Sequence, residues 1–153
     1  MINITLPDGS VKQMAPGSTP MDVALNISEG LARNVISAKF NNEIVETVTP
    51  LTTDGSLLLY TWRDNEGKSA FWHSSSHIMA QALQEIYPGI KLTFGPAIEK
   101  GFYYDVDPGE HQISEKDFKK IEDRILAIAR EKHDFKMRSV SKADALHLSL
   151  IHI

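Results

Sequence analysis

An α+β protein in two parts is predicted by three observations. Apolar residues alternate with polar ones between strong turn signals in the first third of the chain. The pattern changes to helical periodicity after Gly67. The longest helical stretch carries two histidines, His73 and His77, four positions apart.

The first part reads as a hairpin, a helix and further short strands. Ile2, Ile4 and Leu6 alternate with Asn3 and Thr5, as in a half-buried strand. Pro7-Asp8-Gly9 turns the chain, and Val11 to Met14 returns as the partner strand. Pro16-Gly17-Ser18-Thr19 breaks it again. Ser18 or Thr19 caps a helix with Pro20 in its first turn and Val23, Ala24 and Ile27 on its buried face. Ile36 to Phe40 is a strand before an Asn41-Asn42 turn, and Leu57 to Tyr60 is a buried strand after Asp54-Gly55. This order within about sixty residues suits a β-grasp sheet packed on one helix.

Trp62 to Gly67 is polar and contains glycine, so the boundary between the parts is expected there. Ala70 to Tyr87 is a long helix with Phe71, Ile78, Ala82 and Leu83 among its apolar positions, stopped by Pro88-Gly89. Leu92 to Phe94 and Phe102 to Val106 are strands. Ser114 and Asp117 form a capping-box variant that opens a helix to about Glu131, with Phe118, Ile121, Ile125, Leu126 and Ile128 on its apolar face. Phe135 to Val140 is a further strand, and Ser141 caps a further helix. This second part is α+β and incomplete.

Composition narrows the function classes. The net charge of -4 argues against a protein that coats nucleic acid, although it leaves room for local RNA contacts. Lys116, Lys119, Lys120 and Arg124 are interleaved with Glu115, Asp117, Glu122 and Asp123, which describes a solvated helix face. The absence of cysteine excludes a Cys-based zinc site and gives no sign of an oxidising compartment. The first residues lack a basic segment followed by an apolar run, so no signal peptide is expected. No apolar stretch reaches membrane-spanning length, and a cytoplasmic location is expected.

His73 and His77 fall on one helical face, one turn apart, with three serines between them. Two imidazoles so placed can move protons near neutral pH or bind a metal. A metal needs a third ligand, and His111, His133, His147 and His152 form no second close pair; no zincin-type Glu follows His73. Acid/base work needs fewer partners. The plain alternative is two histidines on a partly exposed helix. A second cluster runs from Gly95 to Asp105. Read as a strand, it puts Phe102, Tyr104 and Val106 on one side and Tyr103 and Asp105 on the other. A tyrosine hydroxyl there either meets a ligand or lies over packed aromatics.

Ile4-Thr5-Leu6-Pro7-Asp8-Gly9-Ser10, Phe71-Trp72-His73-Ser74-Ser75-Ser76-His77-Ile78-Met79-Ala80-Gln81-Ala82 and Gly95 to Asp105, in that order, resemble the amino-terminal part of bacterial threonyl-tRNA synthetases. The resemblance covers residues 1 to about 146. It implies a ubiquitin-like β-grasp (TGS) domain over residues 1–62 and part of a tRNA-editing domain over residues 63–146. In that family the editing domain hydrolyses serine wrongly attached to the threonine tRNA. Serine lacks one methyl of threonine, and a methyl group provides only about 1–3 kcal/mol of discrimination, so a second, hydrolytic site is needed.

The resemblance implies roles for four residues. His73 activates water or contacts the ester and terminal ribose. His77 orients substrate or water. Tyr104 stands at the pocket wall, and Asp105 is a further substrate-side candidate. The partner implied is the acceptor end of tRNA(Thr). The same HxxxH signature resembles the zinc site of alanyl-tRNA synthetase editing domains, which a later Cys-x-x-x-His completes. That element is absent here, so no residue is assigned to a metal and no cofactor to this segment. ATP, magnesium and zinc are expected for the class II catalytic domain, through which the full enzyme forms a homodimer. That domain and the anticodon-binding domain are not in this sequence. His147 to Ile153 departs from the family pattern and reads as a truncated or frame-shifted end, and the segment alone is expected to be inactive. The rival readings are a freestanding aminoacyl-tRNA deacylase and a non-catalytic RNA-binding or regulatory module.

Overall fold

The computed structural model of the protein describes residues 1–133 and 140–148. The chain forms two compact units, Met1–Phe71 and Trp72–Ile153.

The first unit is built on a hairpin. Strand β1 (Ile2–Thr5) pairs antiparallel with β2 (Val11–Met14), from Ile2 opposite Met14 to Thr5 opposite Val11. The turn closes because Gly9 takes φ +82° and its N–H donates to the Leu6 carbonyl at 2.9 Å. The Asp8 carboxylate accepts from the Ser10 N–H and hydroxyl. Ile2 and Ile4 are buried while Asn3 and Thr5 are exposed, as the alternation predicts.

Helix α1 (Pro20–Ile27) starts at Thr19 with a reciprocal capping box. The Thr19 hydroxyl accepts from the Asp22 N–H at 3.2 Å, and the Asp22 carboxylate accepts from the Thr19 N–H at 2.8 Å. Val23 and Ala24 are fully buried. Ile27, expected on the same face, is instead 40% exposed, because the helix ends at its last turn in the Ser28 cap. A single turn, α2 (Glu29–Ala32), leads into β3 (Val35–Phe40). Asn41 and Asn42 at φ +46° and +71° make the turn into β4 (Glu43–Val45).

Strand β5 (Gly55–Thr61) completes the sheet, antiparallel to β3 and parallel to β1 with Ile4 opposite Gly55. The order is β2-β1-β5-β3-β4, a β-grasp sheet with α1 packed on β3 and β5. Ile2, Ile4, Val23, Ala38, Leu51 and Leu57 form its core. Leu57 and Leu59 pack into that core but Leu58 is exposed, so β5 is not the uniformly buried strand its leucine run predicts. The period-two pleat turns Leu58 to the other face.

Trp62 to Gly67, expected as the boundary, lies inside the first unit. The Asp64 carboxylate accepts from the Thr61 N–H at 2.7 Å and the Thr61 hydroxyl at 3.0 Å. Helix α3 (Asn65–Ile86) begins directly after it, five residues earlier than the apolar periodicity predicts. Gly67 lies inside its first turns, where a Cβ would come within 2.0 Å of the Thr61 carbonyl oxygen. The glycine is there for close backbone approach and not for flexibility.

In the second unit, the later turns of α3 pack through Ala80 and Leu83 onto Tyr87, Ile90 and Leu92. Gly89 at φ +84° turns the chain after the helix. Strand β6 (Lys91–Phe94) pairs antiparallel with β9 (Asp105–Asp107), and β7 (Ala97–Ile98) with β8 (Gly101–Phe102). The expected single strand from Phe102 to Val106 is therefore two short pieces joined by Tyr103 and Tyr104. The alternation survives the break: Tyr103 and Asp105 are exposed, and Phe102, Tyr104 and Val106 are half-buried.

The Asp117 carboxylate accepts from the Ser114 N–H and hydroxyl at 2.9 and 3.0 Å. A 3-10 turn there leads into α4 (Phe118–Glu131). Ile121 and Ile128 are buried. Phe118 and Leu126, expected on the same face, are about half exposed, at 53% and 50%. The buried stripe is narrower than the apolar one. Lys119 pairs with Asp123 and Lys120 lies over the Tyr87 ring, as expected of a solvated charged face. Helix α5 (Lys142–Leu148) is capped by Ser141, whose hydroxyl accepts from the Asp144 N–H at 3.1 Å, and it continues two residues into the segment set apart by sequence. Of the predicted strand from Phe135 to Val140 only Val140 is described, and His152 lies outside the described residues. No helix among the described residues is long and apolar enough to cross a membrane.

Candidate active site

His73 and His77 stand one turn apart on α3, with their Nε2 atoms 3.3 Å apart and their rings nearly perpendicular at 85°. At that contact one ring nitrogen carries a proton and the other offers its lone pair. The serines between them are explained in part by Ser76. It is fully buried, and its hydroxyl donates to the His73 carbonyl at 2.7 Å. A serine can turn back on the preceding helical turn in this way, at a small cost in helix stability. The interaction anchors the backbone that carries His73.

His77 also borders a cleft of about 230 Å³. Its floor is apolar: Ile78 from α3 with Ile128 and Ala129 from α4. Gln81, Lys132 and His133 complete the lining. Lys132 follows α4 directly, at φ +52° and ψ +44°. This is a left-handed conformation that glycine adopts far more readily than a lysine does.

A chain of polar contacts runs behind the cleft. Gln81 donates to Glu85 at 3.0 Å, Arg124 donates to Glu85 and, at 3.2 Å, to Glu131, and His133 donates from Nε2 to Glu131 at 2.7 Å. The hydrogen bond from His133 is the main cause that holds the Glu131 carboxyl below its ordinary range. The hydrogen bond from Arg124 does the same for Glu85, and Glu85 in turn raises Arg124. Each carboxylate of this chain is thereby engaged, and none of them lines the cleft.

The other predicted site residues lie elsewhere. Tyr104 packs into the core around Leu83 and Ile90, and its ring fills the space beside Gly95. Its hydroxyl is buried with no hydrogen-bond partner among the described residues, and burial pushes its pKa up. Asp105 is exposed at the start of β9, where its carbonyl accepts from the Thr93 hydroxyl at 2.6 Å. Neither lines the cleft beside His77. Conversely, Gln81, Lys132 and His133 do line it, and none of them was predicted for the site. His133 is remote from His77 along the chain and becomes its neighbour only through the packing of α3 on α4. Among the described residues no three His, Asp or Glu side chains converge to hold a metal ion.

Residues 2–61 match the TGS domain family. The chain is similar to the threonine–tRNA ligase of Flavobacterium johnsoniae, at 72% identity over 97% of this chain and 23% of the relative. It is 70% identical over 97% to that of Flavobacterium psychrophilum and 52% identical over 95% to that of Cytophaga hutchinsonii. The matched stretch is the amino-terminal region of these ligases, and the chain spans about 23% of the length of the curated relatives it matches.

Proposed function

We propose that the chain is the amino-terminal part of a threonine–tRNA ligase, with residues 1–62 as its TGS unit and residues 63–146 as part of a proofreading domain that hydrolyses seryl-tRNA(Thr). The observation that carries this reading is the His73–His77 contact at 3.3 Å, in a chain 72% identical to a threonine–tRNA ligase. The ligand is the acceptor end of the tRNA. ATP-dependent ligation, with magnesium and zinc, belongs to the parts of the relatives that lie outside this stretch. So does the contact that pairs two copies, and the enzyme works in the cytoplasm.

In the proofreading step a water beside the pair gives a proton to one imidazole and is oriented by the N–H of the other. The water oxygen bonds to the seryl carbonyl carbon. The bond from that carbon to the ribose oxygen breaks, and the ribose oxygen takes the proton back from the imidazole. His73 serves as the base and His77 as the orienting group. A neutral imidazole suits this work near neutral pH, and such transfer contributes about 10²–10⁴-fold in rate. The site rejects threonine by the bulk of its methyl group, not by affinity.

Mischarging tests the reading. The full-length ligase carrying this chain is supplied with serine, ATP and tRNA(Thr). Parent enzyme is expected to leave the tRNA free of serine, and His73→Ala to accumulate seryl-tRNA at an unchanged rate of threonylation. No accumulation by His73→Ala overturns the proposal.

A further inference from the structure

We propose that Lys132 is the anchor for a backbone phosphate next to the aminoacylated 3′ end of the RNA, holding the strand across the cleft beside His77. This inference rests on the proofreading reading and adds a residue to it. Three observations converge. The first is charge. Lys132 is the one formally charged side chain lining the cleft, and no carboxylate lines it, in a chain whose net charge is -4. The nearby carboxylates, Glu85 and Glu131, are both engaged by Arg124, and Glu131 also by His133. Arg124 offsets one of these two negative charges, and Lys132 is the formal positive charge on the lining of the cleft itself.

The second is backbone. Lys132 occupies a left-handed position at the end of α4, with φ +52°. A residue with a Cβ is disfavoured there by roughly 1 kcal/mol, and glycine is the usual occupant. A cation at this end of α4 also suits the helix dipole, so the cleft shared with His77, and not the backbone alone, points to a ligand. The third is shape. The apolar lining of Ile78, Ile128 and Ala129 accepts the apolar face of a ribose or base, and His77 and Lys132 line the same cleft from α3 and from the end of α4. A phosphate at Lys132 with the sugar on that lining brings the terminal ester toward the histidines. His133, whose Nε2 N–H is given to Glu131 at 2.7 Å, borders the same cleft.

The test uses steady-state deacylation of preformed seryl-tRNA(Thr) by the full-length ligase that carries this chain. Lys132→Gly removes the ammonium and relieves the backbone, so the fold is retained. KM is expected to rise about 5- to 10-fold with kcat within about twofold. The slope of log(kcat/KM) against log salt is expected to fall by about 0.7–1, as for the loss of one phosphate contact. Lys132→Arg is expected to restore both. An unchanged KM and salt slope in Lys132→Gly, with His73→Ala still abolishing deacylation, overturns the phosphate anchor and leaves the proofreading reading standing. A fall in kcat alone overturns it too, since it assigns Lys132 to the chemistry. If His73→Ala has no effect either, both proposals fail.

Discussion

The ring of Tyr104 occupies the volume that a side chain at Gly95 needs: a Cβ on Gly95 would stand 2.2 Å from Cδ2 of the tyrosine. The motif from Gly95 to Asp105 is thus held together by a packed contact between its two ends. Gly95→Ala must displace either the ring or the backbone. Overpacking of this kind costs about 1–3 kcal/mol. A lower urea midpoint with an unchanged slope is the expected outcome. A midpoint equal to that of the parent contradicts the packing described.

Tyr104 itself offers a sharper test. Its hydroxyl is buried without a partner among the described residues. Removing such a group is close to neutral or stabilising by about 1 kcal/mol, since a buried unsatisfied hydroxyl pays its desolvation for nothing. Tyr104→Phe is therefore expected to melt at the same temperature as the parent or slightly higher. Deacylation by the full-length protein decides the wall role that the family resemblance implies. A clear loss of activity without loss of stability assigns the hydroxyl to the substrate, and full activity makes Tyr104 a packing residue.

The capping box of α1 gives a prediction with a pH signature. Thr19→Ala is expected to cost about 1 kcal/mol through the lost cap. The hydrogen bonds from the Thr19 N–H and hydroxyl lower the Asp22 pKa below its ordinary 3.8. A carboxyl lowered in the folded chain stabilises the fold above its unfolded value. That contribution is lost as the pH falls through the lowered value. Stability curves of parent and Asp22→Asn should therefore be well separated near about pH 6 and converge as the solution is acidified below the ordinary carboxylate range. Curves that stay parallel to the acid limit contradict the assignment.

Much of the fold was legible because its signals are local. Ile2 and Ile4, the Thr19 and Ser114 caps and the Asn41-Asn42 turn each need only a few neighbouring residues to be read. The misses share a different cause. Leu126 and Phe118 carry the helical period but lie outside the stripe that tertiary packing covers, and Leu58 sits in an apolar run whose pleat turns it outward. Gly67 and Gly95 look like loop punctuation until the Thr61 carbonyl and the Tyr104 ring are placed against them. The same limit applies to the site. The histidine pair is visible from its spacing, whereas Lys132 and His133 reach His77 only once α4 has packed on α3.

The closed polar chain from Gln81 through Glu85, Arg124 and Glu131 to His133 ties α3 to the end of α4. Arg124→Met removes the middle of that chain while keeping much of the aliphatic stem. It leaves Glu85 and Glu131 without the cation that bonds to both. Faster amide exchange at the last turn of α4 is the expected result, with β1 and β5 unaffected. Protection unchanged at residues 128–131 contradicts a holding role for Arg124.

Single-turnover hydrolysis of preformed seryl-tRNA(Thr) by the full-length protein measures the role of the His73–His77 pair most directly. His73→Ala is expected to slow the first-order rate by about 10²–10⁴-fold, with His77→Ala reducing it less, while tRNA binding is retained. A His73→Ala rate within about twofold of the parent contradicts proton transfer by the pair.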